Sequence, residues 1–338
     1  MGSPMAVRYA SVVVALVVLV LSALVYAPGL TGGFILDDFN NIVTNPRVHL
    51  QTLDWQSFSR AIGAYTSGHY GRPLATLTFA LDHLIGGKNP LPYKVTSLLV
   101  HLLNTALVFT LMLRLLGLSA AERQTALVAS AVIAALWAIH PLQTSTVLYV
   151  VQRMETLATT FILIGLITYL RGRSLQLAGR RGWPWLVGSF VIASLGMLAK
   201  ESAIVFPLLT LALELTVLQF RATNPAHSRF IKWTYAITVT LAALLFYGYF
   251  VPKFASAEAF AYRDFTATER VLTQLRVLPL HLGQILLPAP GSMTFYYDDF
   301  TISTGLFSPW TTLAGAALIF ALLFSAWIVR RTSPLVSL

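Results

Sequence analysis

From Val12 to Ala27 the sequence runs without one charged side chain, and from Trp310 to Val329 it does so again. In water such runs would expose more contiguous apolar surface than a soluble monomer tolerates. In a bilayer about 20 apolar residues cross the hydrocarbon core as one helix. Six further apolar stretches lie near Val95–Leu116, Leu127–Ile139, Leu157–Leu170, Trp185–Leu198, Ala203–Leu218 and Trp233–Val251. About eight spans are therefore expected, in an all-α polytopic integral membrane protein forming a single membrane domain over 1–338. Composition agrees. Charged residues make up 11% of the 338, against roughly 25% in soluble domains, and hydrophobic residues 56%. An ordinary cytosolic enzyme is excluded, because its surface could not be covered. The absence of cysteine excludes disulfides, thiolate metal sites and cysteine nucleophiles. The net charge of +10 is expected from basic cytoplasmic loops, not from nucleic-acid binding.

The first apolar run also offers Val25-Tyr26-Ala27 as a signal-peptidase site. It is long for a signal peptide, and Arg8 alone supplies positive charge before it, so a retained span is expected. With the N-terminus cytoplasmic, Arg114, Arg123, Arg171, Arg173, Arg180, Arg181, Arg221, Arg229 and Lys232 fall on the inner side. The opposite side then holds most carboxylates. It carries two long extramembrane regions, a helical first periplasmic loop over 28–92 and a second region over 252–309. Connections of that length are usually functional. Within the second, Arg270–Leu287 places Arg270, Gln274, His281 and Gln284 on one helical face. A helix lying on or in the outer leaflet is expected there.

The chemistry-bearing residues sit at these outer turns. Asp37 and Asp38 follow the first span, where a carboxylate can act as general base toward a hydroxyl or as a metal ligand. Asp37, Asp38 and His140 form a candidate set for a divalent cation such as magnesium or manganese. Tyr70-Gly71-Arg72-Pro73-Leu74 leads into an apolar helix, and Arg72 is a candidate for an anion or for pairing with Asp37 or Asp38. His140-Pro141 ends the third span. Arg153 and Glu155 open the next helix, and Lys200-Glu201 lies between two apolar helices at the same level. Charges at that depth are rarely idle. Arg153, Lys200 and Arg276 are expected to converge on one anion; buried ion pairs such as Lys200 with Glu155 or Arg153 with Glu201 are the alternative. Tyr297-Asp298 lies in an aromatic cluster suited to the membrane interface.

In this order the motifs resemble the GT-C superfamily of membrane glycosyltransferases, and within it the TMTC-like O-mannosyltransferase branch and its bacterial relatives. The residues that carry the resemblance are Asp37-Asp38, Tyr70-Gly71-Arg72-Pro73-Leu74, His140-Pro141, Tyr149…Arg153-Met154-Glu155, Leu198-Ala199-Lys200-Glu201, Arg276 and Tyr297-Asp298. The resemblance implies a GT-C-like helix bundle and a sugar donor carried on polyprenyl phosphate. The acceptor hydroxyl would belong to a protein, lipid or glycan. It implies inverting transfer at the periplasmic face of a bacterial inner membrane. Asp37 would be the base, with Asp38 orienting it, binding acceptor or holding a cation. Arg153, Lys200 and Arg276 would hold the donor phosphate. Tyr70, Arg72, His140, Glu155, Glu201, His281, Tyr297 and Asp298 would line the site. Family members often continue into further spans and tetratricopeptide repeats; the residues here stop at Leu338. A flippase or transporter of lipid-linked sugar is the competing function. The absence of an internal repeat and the clustering of polar residues near one face speak for the transferase.

Overall fold

The structure, a computed structural model, describes residues 4–65, 71–118, 122–256, 258–294, 296–297 and 299–338, with the side chains of 4–11 and 290 outside that description. All eight expected apolar segments lie on helices. Six helical runs are long and apolar enough to cross a bilayer: Val12–Thr31, Pro90–Leu118, Val150–Leu177, Glu201–Leu218, Pro225–Phe254 and Thr311–Val329. Arg123–Ala138 and Trp183–Leu198 are shorter apolar helices. Only 6% of the apolar window in Pro225–Phe254 and 11% in Thr311–Val329 is buried by protein, so these helices turn their apolar side chains outward, as lipid-facing helices do. The chain is a multi-pass membrane protein with an all-helical bundle, and no strand occurs among the described residues. It divides into two compact units, Met1–Thr210 and Leu211–Leu338.

The first unit holds α1 (Pro4–Tyr26), α2 (Trp55–Ile62), α3 (Pro73–Gly86), α4 (Pro90–Leu118), α5 (Arg123–Ile139), α6 (Gln143–Leu148), α7 (Arg153–Leu177) and α8 (Trp183–Leu195). The first outer loop, expected to be helical, carries α2, started by Asp54, whose carboxylate accepts from the Ser57 N–H at 2.8 Å. α4 packs on α5 and α7, and α7 packs on α8. The α7–α8 approach depends on glycine. A Cβ on Gly182 would lie 2.1 Å from the Gly172 carbonyl oxygen, and one on Gly172 would lie 2.8 Å from Leu186. Small residues at such crossings let backbones close up without a hydrophobic drive between helices. The C-terminal end of α1 meets that of α5 through the Tyr26 hydroxyl, which donates to the Ala138 carbonyl at 2.7 Å. Arg114 near the end of α4, Arg123 at the start of α5, and Arg180 and Arg181 between α7 and α8 fall at the other end of these helices. Arg171 and Arg173, expected in a loop, instead lie on the last turns of α7. There Arg171 stands over the Trp185 ring, and Arg173 is enclosed with Gln176 as a partner at 2.6 Å.

α9 (Phe206–Leu213) leads into the second unit, which contains α10 (Pro225–Leu245), α11 (Val251–Phe254), α12 (Ala267–Leu286) and α13 (Thr311–Val329). The amphipathic stretch read from the sequence is α12. Its first turn is fixed by a capping box in which Thr266 and Glu269 each bond the other's backbone N–H. α12 is not among the helices apolar enough to span. It packs on α13, where a Cβ on Gly315 would lie 2.1 Å from the Leu275 carbonyl oxygen. Ser303 is buried and ties this contact to the preceding loop. Its N–H donates to the Thr273 hydroxyl at 2.9 Å, and its hydroxyl accepts from Thr312 at 2.8 Å.

Candidate active site

The polar residues of the first unit gather around one turn, the start of α7. Val151, Arg153, Met154 and Glu155 each engage a different segment there, and the short sequence between them explains why. Successive residues of a helical turn point about 100° apart, so four neighbours reach four directions.

Val151 reaches the Asp37–Asp38 loop. Asp38 is buried, and its two carboxylate oxygens accept from the Ile35 N–H at 3.1 Å and the Val151 N–H at 2.8 Å. Burial pushes the Asp38 carboxyl above its ordinary range, while those N–H groups, that of Val150 and the Lys94 ammonium pull it back. Lys94 is itself buried and donates to the Gly29 carbonyl at 3.3 Å. Asp37, by contrast, is exposed. Its N–H donates to the Tyr149 hydroxyl at 2.9 Å, and its carbonyl accepts from Asn41 at 2.9 Å. Leu36 before it has a φ of +47°, a conformation that costs a non-glycine residue ~1–3 kcal/mol. The two acids thus differ: one is a buried staple, the other a carboxylate presented outward.

Arg153 turns inward. It is fully enclosed, at 2.5 Å from the Asp82 carboxylate, and donates also to Ser97 at 3.1 Å, Thr78 at 3.2 Å and the Tyr93 carbonyl at 2.5 Å. Its guanidinium stands over the Phe79 ring. Thr96 completes the shell by donating to Asp82 at 2.6 Å. Burial pushes the Asp82 carboxyl up, against the pull of Arg153. Four of the five N–H donors of this arginine are taken by protein, and its side chain has no exposed surface at which a ligand phosphate could meet it. The partner named from the sequence, Glu201, is not the one found. Asp82 sits 71 residues away from Arg153 on α3, as the one acid in an apolar helix, and that isolation was the available signal.

Met154 and Glu155 meet the remaining charges. Arg72 does not pair with Asp37 or Asp38. It bridges to Glu201 at 3.0 Å, lies 3.0 Å from the Met154 sulfur and stacks 4.2 Å over the Tyr65 ring. Its Nε is buried without a hydrogen bond among the described residues. Lys200 pairs with Glu155 at 2.8 Å, the alternative weighed from the sequence, and Ser202 donates to the same carboxylate at 2.5 Å. These pairs are not sealed: about a quarter of the Lys200 side chain and a third of those of Glu155 and Glu201 remain exposed. His140 is half-buried at the turn before α6, where its Nδ1 accepts from the Leu142 N–H at 3.2 Å.

In the second unit Arg276 is occupied as well. It donates to the Thr301 carbonyl at 2.6 Å and stands over the Phe300 ring. Its neighbours on α12 line a cavity of about 300 Å³ formed by Arg263, Arg270, Gln274, His281, Tyr297 and apolar side chains that include Phe265 and Phe300. Arg270, exposed, has no hydrogen bond or ion pair among the described residues. His281 accepts or donates at Gln284 across 2.9 Å, and Gln284 donates to the Tyr297 hydroxyl at 2.6 Å. Arg263 and Arg270 were not singled out as ligand-binding from the sequence. Tyr70 and Asp298 lie outside the described residues. Among the described residues no three histidine or acidic side chains come together as a metal ion needs. The candidate set Asp37, Asp38 and His140 is not assembled, since backbone N–H groups take both Asp38 oxygens.

A helical membrane bundle, an exposed acid in a pinned loop and partly open cation–carboxylate pairs at one helix start define a multi-pass membrane protein with a cluster of polar side chains around the start of α7. Comparison with characterised proteins sharpens this. The chain is 30% identical over 184 residues to the human protein O-mannosyl-transferase TMTC2, covering 53% of this chain and 21% of that protein. It is 34% identical over 191 residues to Drosophila melanogaster Tmtc2, covering 54% and 20%. To mouse TMTC3 it is 31% identical over 199 residues, covering 56% and 20%. All three are named protein O-mannosyl-transferases. The chain spans about a fifth of the length of these relatives. The resemblance read from the motifs is thus met by curated glycosyltransferases. No family model matches the chain, and no solved structure does.

Proposed function

We propose that this chain is a membrane glycosyltransferase that moves a sugar from a polyprenyl-phosphate donor to an acceptor hydroxyl, with inversion, at the periplasmic face of a bacterial inner membrane. The N-terminus lies on the cytoplasmic side. The observation that carries the reading is the gathering, around the start of α7, of an outward-facing Asp37 and two cations that are largely buried but not sealed, Arg72 with 15% and Lys200 with 25% of the side chain exposed. The named relatives, which transfer mannose to proteins, support the same class. Mannose and a protein hydroxyl are the first donor sugar and acceptor to test.

The roles follow from charge. Asp37 takes the acceptor proton as the hydroxyl oxygen forms its bond to the anomeric carbon. The bond from that carbon to the phosphate oxygen breaks, and the phosphate leaves with the electron pair. A phosphate needs no protonation to leave; it needs positive charge where negative charge develops. Lys200 and Arg72 supply it by exchanging Glu155 and Glu201 for the phosphate. Arg153 acts one step behind, as the strut that fixes the turn. Asp38 positions the loop. His140, Glu155 and Glu201 line the site in the first unit, His281 and Tyr297 line the cavity of the second, and Tyr70 and Asp298 keep their assignment from the motif. In the second unit Arg270 and Arg263 replace Arg276 as the contacts for anionic lipid head groups.

The test is reconstituted protein incubated with a panel of polyprenyl-phosphate sugars and hydroxyl acceptors, with products read by mass spectrometry. A covalently modified acceptor is expected from wild type and none from Asp37→Asn. Undiminished transfer by Asp37→Asn removes Asp37 as the base.

A further inference from the structure

The first outer loop turns small side chains inward and large apolar ones outward. On α2 the buried positions are Ser57 and Ala61, and Ala61 packs with Val48, Leu50, Ala64 and Ala80. Trp55, Phe58 and Ile62 follow at intervals of three and four residues, which puts them on another side of the same helix. Trp55 is 78% exposed and Leu53, two residues before it, 75%. The Trp55 and Phe58 rings stack with centroids 6.1 Å apart. Ile85, in the last turn of α3, is 76% exposed. Tryptophan with an apolar body and a polar N–H belongs at a membrane–water interface, and a helix with such a stripe lies in the plane of that interface.

Hydrogen bonds fix the depth of these residues. The Tyr93 hydroxyl donates to the Gly87 carbonyl at 3.0 Å, and Thr96 donates to Asp82 at 2.6 Å. Residues 82–87 therefore lie beside the first two turns of α4. That helix has 29 residues, about nine more than a hydrocarbon core requires. The apolar stretch read from the sequence starts near Val95, so the turns before it stand at head-group level. Leu91, Val95, Leu99 and Leu103, exposed at four-residue intervals, carry the lipid-facing side of α4 up to that level. His83 ties the preceding loop to the same place. Its Nδ1 donates to the Leu50 carbonyl at 3.0 Å, and its ring stacks on His49 with centroids 4.4 Å apart. From Leu50 the chain can reach at most about 10 Å by Leu53. Lys88, between α3 and α4, and Arg60, in the last turn of α2, are exposed cations of the same region.

We propose that α2 and the end of α3 form a membrane-docking face, with Leu53, Trp55 and Ile85 set among the phospholipid head groups of the leaflet at which α4 begins and Lys88 and Arg60 meeting their phosphates. The face continues the lipid-facing side of α4 and does not depend on the role of Asp37. It holds the loop that carries Asp37 and Asp38 at the membrane surface, because His49 reaches back through its Nε2 to the Ile42 carbonyl at 2.8 Å.

The chain has no cysteine, so one introduced cysteine carries a nitroxide at a single place in the whole protein. Leu53→Cys, Trp55→Cys and Ile85→Cys report the face, Gln56→Cys the solvent side of α2 and Leu99→Cys the hydrocarbon. In nanodiscs of phosphatidylcholine with phosphatidylglycerol, collisions with oxygen report lipid and collisions with a neutral nickel chelate report water. Oxygen should dominate at 53, 55, 85 and 99, and the nickel chelate at 56. A nitroxide is itself apolar, so unlabelled protein supplies a second readout. The emission lost in Trp55→Phe, taken as the difference from wild type, should be quenched in nanodiscs whose lipids carry bromine near the head group. Labels at 53, 55 and 85 as open to nickel as the one at 56 overturn the proposal, as does a Trp55 emission that brominated lipid leaves unquenched. Labels shielded from oxygen and nickel alike overturn it too, since the face is then covered by protein.

Discussion

Arg153 and Asp82 form a sealed ion pair: the guanidinium has no exposed surface, the carboxylate side chain has 4%, and their atoms approach to 2.5 Å. Together with Ser97, Thr78 and the Tyr93 carbonyl, this pair ties the start of α7 to α3 and α4. Every charge presented by that turn is therefore presented from a fixed frame.

Truncating one partner should be severe. A lone buried charge costs about 3–5 kcal/mol, so Asp82→Ala and Arg153→Ala should each lower the thermal midpoint sharply. Replacing both at once, as Arg153→Met with Asp82→Leu, should recover much of the loss, because the desolvation of two charges disappears with them. Thermal unfolding in detergent followed by intrinsic fluorescence checks this. If Arg153→Ala stays as stable as wild type while losing donor affinity, the arginine is a ligand-binding group after all.

Lys200 and Glu155 predict the opposite pattern. Their pair is partly exposed, and such pairs contribute about 0–1 kcal/mol. Lys200→Ala and Glu155→Gln should both fold with little change in thermal midpoint. Their effects on polyprenyl-phosphate binding should differ in sign. Lys200→Ala removes a phosphate partner and should weaken binding, and cost transfer about a hundredfold. Glu155→Gln frees the ammonium from its carboxylate and should tighten binding of the phosphate. Surface plasmon resonance on nanodisc-embedded protein reads both. Equal weakening by the two variants would mark the pair as a structural bridge only.

The cap of α2 has a pH signature. Bonds from Thr52 and then from Ser57 hold the Asp54 carboxyl down at about 2, below the 3.8 of a free side chain. A carboxyl depressed in the folded state stabilises above its unfolded value and loses that contribution as pH falls through the folded one. Amide protection in Trp55–Ile62 should therefore decline between about pH 4 and pH 2, while α7 keeps its own. In Asp54→Ala the protection should be low throughout and lack this pH dependence. Hydrogen exchange with mass spectrometry resolves the two segments.

The sequence made the spans legible because lipid imposes one requirement, a continuous apolar helix; six of the eight apolar runs from Val12 to Val329 lie on helices long and apolar enough to meet it, and the other two lie on shorter apolar helices. α12 was legible for a similar local reason, its polar face and its Thr266–Glu269 cap. The site was legible only as a set of turns. Which cation meets which acid depends on helix rotation and depth. Those are set by close crossings such as Gly172 against Gly182 across the short α7–α8 connection, a contact for which the sequence carries no periodic signal. Lys200 found Glu155 as one of two local choices. Arg153 found Asp82, because its side of the first turn of α7 faces α3, while Glu155 on another side of that turn meets Lys200 in the turn after α8. Arg276 read as a free cation, yet the loop at Thr301 and Ser303 returns onto it. Tyr149 carried a motif position but no charge, so nothing in its side chain advertised a bond to Asp37.

The second unit separates two arginines by their company. Arg276 is bonded to the Thr301 carbonyl and stacked on Phe300, so Arg276→Ala should loosen the 300–303 loop, seen as faster hydrogen exchange there. Arg270 lies across the helix face, lining the cavity with Arg263 and His281. Arg263→Glu with Arg270→Glu should leave the thermal midpoint within about two degrees, since exposed substitutions usually cost under about 0.5 kcal/mol. The same double variant should weaken retention of polyprenyl phosphate at low ionic strength and narrow its difference from wild type as salt is raised, because exposed charges are screened within about 10 Å at 0.1 M. Native mass spectrometry of the detergent-released protein counts the bound lipid. Lipid retention unchanged in the double variant but lost in Arg276→Ala would return the phosphate contact to Arg276.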